Sequence, residues 1–329
     1  MRTWILLFLL ILAPGLSASQ KVYVCKYEEN VPYGVMAWHQ SERVQKGIGK
    51  ENRFEPYDAK QAEALAADAL IDRSGGNAGA VDPRETAFWQ AYNEKGWSIY
   101  IESREPQVEE LLNDLLNPRS AGNNESYEVF FAPGLERVPY YQIYVTQYQN
   151  KATFYDWGTP HGGYRSLKGQ TYVESLPLKD GVGTFIFIPW HLLYEHAPLD
   201  GGEWRFTVIR WMPFSKSGGV TWGGQVHETG RFGRVVFEKP KAEQRQAIET
   251  RLRQYGWYKF KAESDQLKER WSDPHLGDPA FCNAVLVPEI DRITGEGMEK
   301  ADLRDLMEFG YKAEALRTRY LIQKRFSRQ

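Results

Sequence analysis

The chain has 329 residues, of which 14% are aromatic, and its 41 basic and 43 acidic residues leave a formal net charge of −2. This balance argues against a dedicated nucleic-acid-binding protein, whose binding domain is usually strongly basic, and so many aromatic residues at low net charge argue against disorder. Two cysteines are too few for a disulfide-dense scaffold or for a zinc site with four cysteine ligands.

The N-terminal segment has the pattern of a secretory signal peptide. Met1-Arg2-Thr3 is a short cationic start, Trp4 to Leu12 is an unbroken apolar run, and a Pro-Gly breaker with small residues follows. The run is shorter than the roughly 20 residues that span a bilayer. We therefore predict a signal peptide over residues 1–18 and a mature chain without a membrane span, located in the periplasm or outside the cell. A retained anchor is the alternative.

The first part of the mature chain mixes strand and helix patterns. Val22 to Lys26 is an apolar strand pattern, and Ala59 to Ile71 places Ala and Leu at helical spacing. Thr86 to Tyr92 is interpreted as a further short helix. The two helical segments together predict a helical insertion near residues 57–93.

The region from Gly96 to Phe237 has the pattern of successive short strands, rich in Tyr, Phe, Val and Ile and separated by turn signals. The spacing suggests an antiparallel sandwich or barrel. We predict a mainly β domain over residues 19–239, an antiparallel β-sandwich of the jelly-roll or immunoglobulin-like type. One helix, Gln107 to Leu116, interrupts it. The predicted strands are Trp97–Glu102, Tyr127–Ala132, Tyr140–Thr146, Ala152–Asp156, Thr171–Leu176, Thr184–Pro189, Trp204–Trp211, Val220–Trp222 and Val235–Phe237.

After Pro240 the period changes to that of helices. Lys241–Tyr255, Tyr258–Trp271 and Glu299–Gln323 are predicted as helices, which makes residues 240–329 an α-helical C-terminal extension. The two cysteines, Cys25 and Cys282, could pair in an oxidising compartment and tie the first strand to this extension. Two free, buried thiols are the alternative.

Most common catalytic signatures are missing from the sequence. It has no phosphate-binding Gly loop, no H-E-x-x-H metal motif and no G-x-S-x-G nucleophile elbow. Glycoside hydrolysis is harder to exclude, because it needs two carboxylates close in space and no particular spacing in sequence. Glu125, Glu128 and Glu174 lie near or on predicted strands and could serve. A β domain without a catalytic signature otherwise favours binding.

One stretch carries a family resemblance. Its motifs are, in order, Y-E-V-F-F from Tyr127, I-P-W ending at Trp190, the strand with Arg210, then Trp222, and R-F-G-R-V-V-F from Arg231. In this order they resemble the carbohydrate-binding module family 9-like domain of secreted bacterial proteins. The resemblance extends from Val22 to Phe237 and is specific only from Tyr127 onward, and the family's N-terminal D-G-x-x-D-x-x-W signature is not evident.

The resemblance implies a non-catalytic β-sandwich that holds a poly- or oligosaccharide between two tryptophans, with polar side chains alongside and a structural calcium ion. Trp222 matches the family's late tryptophan, and Trp157, in a loop setting, is the partner we favour over Trp89 and Trp97. Trp190 and Trp211 are predicted to be core residues. The predicted ligand-binding set is therefore Trp222, Trp157, Gln142, Arg210 and Glu128, and the acids available for calcium are Asp180, Asp200, Glu125 and Glu128.

The chemistry of sugars agrees with this set. A pyranose ring has an apolar face of C–H groups, which an aromatic ring can cover, and a rim of hydroxyls, which amide, guanidinium and carboxylate groups can bind. Three alternatives stay open: a hydrolytic or hydrolase-associated protein acting on polysaccharide, a haem-binding electron-transfer domain with Met212 and a histidine as axial ligands, and a scaffold whose tail binds protein.

Overall fold

A computed structural model gives the fold of residues 21–57, 85–105, 126–135, 139–146, 151–157, 165–166, 171–212, 218–275 and 277–327. The strands are β1 (Val22–Tyr27), β2 (Glu55–Pro56), β3 (Thr86–Tyr92), β4 (Gly96–Arg104), β5 (Ser126–Ala132), β6 (Tyr141–Thr146), β7 (Lys151–Asp156), β8 (Arg165–Ser166), β9 (Tyr172–Leu178), β10 (Gly181–Pro189), β11 (Gly202–Met212), β12 (Gly218–Trp222) and β13 (Gly233–Phe237).

The described strands form one continuous sheet in the order β8-β7-β6-β5-β11-β13-β1-β3-β4-β10-β9, with β12 paired to β11 and β2 paired to β12. β1 lies parallel to both of its neighbours, β13 and β3, and the other described pairs are antiparallel. Near the two ends of this order β7 and β9 approach each other, so the sheet is nearly closed and barrel-like.

The prediction of a mainly β chain with a C-terminal helical extension is confirmed. The prediction of antiparallel strands holds for most of the described pairs but not for β1, which joins the two halves of the sheet by parallel pairing on both of its edges. Parallel neighbours come from distant parts of the chain, and no local pattern in the sequence signals them.

The main core lies between the two halves of the sheet. The indole of Trp97 on β4 has its centroid 5.3 Å from the ring of Phe131 on β5 and 5.5 Å from that of Trp204 on β11. On β5 the inward positions are Tyr127, Val129 and Phe131. Because side chains alternate along a strand, the residues between them point to the outer face.

Residues Thr86–Tyr92 form β3 and not the predicted helix, which corrects the C-terminal end of the predicted helical insertion. All seven residues are buried, because the core covers one face of β3 and two short helices help to cover the other. A strand buried on both faces shows no alternation, so its period cannot be read from the sequence. The predicted helices Ala59–Ile71 and Gln107–Leu116 lie outside the described residues.

Two short helices, α1 (Val35–His39) and α2 (Glu42–Gln45), were not predicted. They cover the outer face of the β3–β4–β10 half, where the indole of Trp38 stacks on Tyr100 at 5.9 Å with an interplanar angle of 7°. The backbone N–H of Val35 donates to the Glu174 carboxylate at 2.6 Å. Helices this short have too few turns to show a helical period.

The extension begins with one long helix. Its helices are α3 (Ala242–Ser272), α4 (Pro279–Phe281), which continues through a π-helical turn (Cys282–Leu286) into α5 (Val287–Lys300), then α6 (Leu303–Met307) and α7 (Phe309–Phe326). The predicted break at Gly256 is absent. A Cβ at Gly256 would lie 3.0 Å from the Cβ of Leu306, so this glycine permits the close approach of α6 to α3.

The extension packs on the sheet and also has a core of its own. Ile248 and Leu252 of α3 and Met307 of α6 belong to the sheet core, whereas Phe260, Phe281 and Phe309 lie in a separate helical cluster. The predicted helix Glu299–Gln323 is divided, because Asp302 accepts backbone hydrogen bonds from residues 304 and 305 and starts α6 anew. The segment 279–300 was not predicted to be helical.

Cys25 and Cys282 are both free and buried, so the pairing that the sequence left open is not formed in this structure. Cys25 lies in the sheet core and Cys282 in the helical cluster. Burial raises the pKa of both thiols, that of Cys25 well above its ordinary value. Both are therefore protonated and poorly nucleophilic at neutral pH.

The predicted signal peptide lies wholly before the first described residue, so it stays a prediction. Within the described ranges, no helix combines the length and the apolar character that crossing a bilayer requires.

Candidate functional site

The candidate site lies on the outer face of β5, β6 and β11. Glu128 on β5, Gln142 on β6 and Trp211 on β11 alternate with inward core residues and therefore point outward. β5 is paired with β6 on one side and with β11 on the other. The pairing brings the three side chains together, and Trp157, directly after β7, joins them from the next strand.

These four side chains form one hydrogen-bonded chain. The Trp157 indole N–H donates to Gln142 Oε1 at 3.1 Å, and the Gln142 amide donates to Glu128 Oε2 at 2.8 Å. The other carboxylate oxygen, Glu128 Oε1, accepts from the Trp211 indole N–H at 2.9 Å. We call this set, Trp157–Gln142–Glu128–Trp211, the indole chain. It fixes the orientation of two half-buried tryptophans through one amide and one carboxylate.

Further aromatic rings frame the indole chain. Tyr140 stacks on Trp157 with centroids 5.9 Å apart and planes 5° from parallel, and Tyr57 packs against Trp211 at 5.1 Å. Below them, Phe130, Ile209 and Phe232 form a small buried cluster on the outer side of the sheet. Packing against this cluster limits the motion of the rings above it.

His227 closes the site in a strained backbone conformation. Its φ of +57° lies in the left-handed region, and it is the only non-glycine residue of the described part with a positive φ. This conformation costs about 1–2 kcal/mol outside glycine. The imidazole lies edge-on to Trp157 and Phe130, each at 5.0 Å, and Nδ1 hydrogen-bonds the Tyr140 hydroxyl at 3.0 Å. Partial burial raises the pKa of Tyr140, which keeps this hydroxyl protonated at neutral pH.

The indole chain keeps capacity for a ligand. An amide has two N–H donors, and each amide or carboxylate oxygen has two lone pairs. The contacts within the chain use one donor of Gln142 and one lone pair on each of three oxygens. Two oriented aromatic rings with polar groups between them can therefore take a ligand with an apolar face and a hydroxylated rim.

Trp222 is not at this site, and its predicted role as an exposed platform is wrong. The side chain is fully buried, its ring N–H donates to the Glu51 carbonyl at 2.7 Å, and Phe88 packs edge-on to it at 4.9 Å. The neighbouring glycines suggested a loop. Gly233 on β13 makes room for the ring, since a Cβ at this position would lie 2.7 Å from the Trp222 ring.

Arg210 is a core residue and does not line the site, contrary to the prediction. It shares the inward face of β11 with Phe206 and Val208, and its side chain is fully buried. The guanidinium pairs with Glu105 at 2.8 Å and donates to Thr86 Oγ1 and to the Arg104 carbonyl, both at 3.1 Å. Sequence reasoning did not decide between its two faces.

Three predicted residues, Trp157, Gln142 and Glu128, are thus brought together, and Trp211 is added. Trp211 was predicted to be a core residue because its neighbours are apolar. Strict alternation from Phe206 and Val208 would have placed it outward. Trp190 is buried as predicted, and the two other partner candidates, Trp89 and Trp97, are also core residues. Tyr57, Tyr140 and His227 come from loops that carry no signal of their own.

The two described carboxylates considered for hydrolysis do not meet. Glu128 points outward from β5, whereas Glu174 points outward from β9 in the other half of the sheet and accepts the Val35 N–H. The core lies between them. Glu125 falls outside the described residues, as does the side chain of Met212, on which the haem alternative depends.

The described residues contain no cluster of carboxylates for a calcium ion. Among them, no group of three or more acidic, histidine or cysteine side chains could hold a metal ion. Asp180 pairs with Arg104 at 3.5 Å, and Asp200 pairs with Arg245 at 2.8 Å. The carboxylate of Glu128 belongs to the indole chain.

Three solved structures are similar to this chain at low sequence identity. One is a proposed carbohydrate-binding protein from Bacteroides uniformis, with a TM-score of 0.46 and 13% identity over 67% of this chain and 100% of that chain. The others are a carbohydrate-binding module family 9 (CBM9) of Caldicellulosiruptor kristjanssonii in complex with glucose (TM-score 0.40, 12% identity, 68% and 98% of the two chains) and with cellotriose (0.40, 14%, 68% and 96%). No family model and no curated protein matches the sequence.

Proposed function

We propose that this protein binds carbohydrate without cleaving it, through the outer face of β5, β6 and β11. The observation that carries the proposal is the indole chain, in which Gln142 and Glu128 orient Trp157 and Trp211 on one face of the sheet. A pyranose combines an apolar face with a hydroxyl rim, and oriented indoles with an amide and a carboxylate match both parts.

Binding fits the site better than hydrolysis. Hydrolysis of a glycosidic bond uses a pair of carboxyl groups about 5–10 Å apart, one of which donates a proton. In the described part of the site Glu128 is the carboxylate at the centre, and both of its oxygens accept hydrogen bonds from N–H donors. Its geometry is that of a group that positions two neighbours.

We also propose export of the mature protein to the periplasm or the extracellular space, on the basis of the N-terminal charge and apolar pattern. N-terminal sequencing of the secreted or periplasmic protein tests this, and the expected cleavage is near residue 18. Structural calcium, which the resemblance implies, stays a prediction, and a lower melting temperature in EDTA would support it.

The test of sugar binding is a titration of the mature protein with neutral oligosaccharides. Glucose, cellotriose, xylotriose and laminaritriose are suitable probes, followed by calorimetry. We expect Trp157→Ala to weaken binding by about tenfold or more, because it removes one stacking face worth about 1.5 kcal/mol. Gln142→Ala should weaken it less, because it releases the orientation of Trp157 and leaves the ring in place.

Trp257→Ala is the matched control, since Trp257 is a half-buried tryptophan on α3, outside the site. Equal affinity of the Trp157 variant and the wild type would contradict the assignment of the site. No binding to a broad glycan panel would contradict sugar binding itself. Release of reducing ends from a polysaccharide, lost in Glu128→Gln, would favour the hydrolase alternative.

A further inference from the structure

A second concave surface lies between the sheet and the C-terminal extension, away from the indole chain. It encloses about 950 Å³, near the upper end of the range usual for ligand pockets. One wall consists of residues 29–33 after β1, the β3–β4 turn and the end of β10. The opposite wall is the face of α3 from Arg251 to Tyr258. We call it the interlayer groove.

The groove is lined by tyrosines that remain exposed. The exposed fractions are 57% for Tyr33, 43% for Tyr172, 40% for Tyr255 and 74% for Tyr258. Twelve large hydrophobic and aromatic residues of the described part are more than a third exposed, and these four converge on one groove. A cluster of exposed aromatic rings in a concavity is typical of a binding surface.

Most of these rings are held in place by their neighbours. Tyr33 stacks on Tyr172 at 5.3 Å and meets Phe185 and Phe187 edge-on at 5.1 and 5.5 Å. On the helix side Tyr255 stacks on His191 at 3.8 Å with planes 13° from parallel. These contacts reduce the side-chain entropy that a ligand would otherwise have to remove on binding.

The charges in the groove cancel. Two acidic residues, Glu29 and Glu94, and two basic residues, Lys95 and Arg251, line the groove. A charged ligand of either sign therefore gains no net attraction. No described carboxylate forms an ion pair with Arg251, whose guanidinium donors are therefore open to acceptors on a ligand. The amides of Asn30, Asn93 and Gln254 add donors and acceptors.

We propose that the interlayer groove is a second binding site and that its ligand is a neutral oligosaccharide. Tyrosine rings cover the apolar faces of sugars, and their hydroxyls, the three amides and the uncompensated guanidinium meet the ring hydroxyls. An apolar peptide fits less well, because only three of the lining residues, Val31, Pro189 and Leu252, are aliphatic. The proposal depends on the groove alone and not on sugar binding by the indole chain.

Two sites on one chain would let the protein hold a polysaccharide at two points. The second contact then becomes intramolecular, and avidity for a long chain exceeds the affinity for a short one. The helical extension has a direct role in this arrangement, because α3 supplies one wall of the groove.

The test is calorimetric titration of the full mature chain with cellohexaose, xylohexaose and laminarihexaose. The Trp157→Ala protein, in which the indole chain is impaired, should still bind one of these hexasaccharides. Adding Tyr258→Ala should weaken that binding by about tenfold. Tyr311→Ala is the matched control, because Tyr311 is a similarly exposed tyrosine, 67%, on α7 and outside the groove.

Tyr258 is largely exposed, so its variant should keep the melting temperature of the parent protein. If Trp157→Ala alone abolishes hexasaccharide binding, the groove proposal fails and the indole chain is the one sugar site. If neither the wild type nor the Trp157→Ala protein binds any of the three probes, the groove proposal fails together with the proposed function. Selection of a peptide that binds in a Tyr258-dependent way, with no hexasaccharide signal, would also overturn the groove proposal in favour of a protein ligand.

Discussion

Arg210 and Gln142 show how a single strand position decides the role of a polar residue. Both lie within apolar strands, yet Gln142 points outward to Glu128 and Trp157, whereas Arg210 points inward to Glu105. A buried guanidinium is stable only when paired and hydrogen-bonded, and Arg210 has three such partners. The same type of sequence signal thus gives an outward-facing member of the indole chain in one strand and a core ion pair in another.

Removing the charge of Arg210 should destabilise the protein without acting on the ligand site. Arg210→Ala removes the guanidinium that pairs with the buried Glu105 carboxylate, and breaking such pairs costs about 3–5 kcal/mol. Since the Glu105 side chain retains 10% exposure, we expect about 3 kcal/mol. Urea unfolding measures this loss in the free energy of unfolding.

The control for Arg210 is Arg231→Ala, because Arg231 pairs with Glu228 on the surface, with the two side chains 69% and 47% exposed. Its loss should change the free energy of unfolding by less than about 1 kcal/mol. A similar, small effect of both substitutions would show that the buried pair does not stabilise the fold.

Among individual residues, the tryptophans were the hardest to assign from sequence. Trp222 has glycine neighbours and is buried, whereas Trp211 has apolar neighbours and lies half-buried on the outer face. Composition around a residue describes its chain neighbours, but exposure depends on what packs over it from distant segments. Trp157 was placed correctly because it follows a strand end, where loops usually reach the surface.

At the scale of elements, the sequence predicted most of the longer strands, including β4 and β10, which are largely buried, but missed β3. β5, β6 and β11 carry polar residues at some outward positions, among them Glu128, Gln142 and Arg205, so part of their period of two is visible in the sequence. β3 is buried on both sides and was interpreted as a helix. The long helix α3 was divided at Gly256, although that glycine serves close helix packing and not helix termination.

The contact between the 3₁₀ segment Trp190–His196 and α3 predicts a pH dependence of stability. Burial, with a further contribution from the nearby Arg251, lowers the pKa of His191 from 6.5 to about 4. Between these values the unfolded chain binds a proton that the folded chain does not. The free energy of unfolding therefore falls as the pH drops from about 6.5 to about 4. Burial also lowers the pKa of His196, which acts in the same direction.

The variant His191→Phe separates this effect from other acid-induced changes. It keeps a ring against Tyr255 and removes the titration. Because His191 is partly exposed, we expect the wild type to lose only about 1–2 kcal/mol more than the variant between pH 7 and pH 4.5. Chemical denaturation at both pH values measures the difference. His275→Phe, at an exposed position, is the control, and equal losses in wild type and His191→Phe would contradict the prediction.

At the scale of the whole molecule, the sheet and the extension share one core. Leu252 of α3 is 2% exposed and belongs to the same cluster as Trp190 on the sheet side. We therefore expect the two parts to unfold together, because neither can separate without exposing this surface.

Leu252→Ala tests that coupling. The substitution should lower the free energy of unfolding by about 3 kcal/mol, the usual cost of a cavity at a buried leucine. Tryptophan fluorescence and far-ultraviolet circular dichroism should still report one coincident transition. Leu321→Ala, at an exposed position of α7, should have little effect. Two separate transitions in the wild type would show that the extension folds independently.

The sequence by itself determined the local features of this protein: its alternating strands, its helical C-terminal third and three of the four members of the indole chain. The strands and helices follow from periodicity within short stretches, and the three members of the indole chain follow from the family resemblance and from their places in strands and a loop. Only the tertiary structure decided the parallel pairing of β1, the burial of Trp222 and Arg210, and the meeting of four tyrosines between the sheet and α3. Each depends on contacts between segments far apart in the chain, which local patterns do not encode.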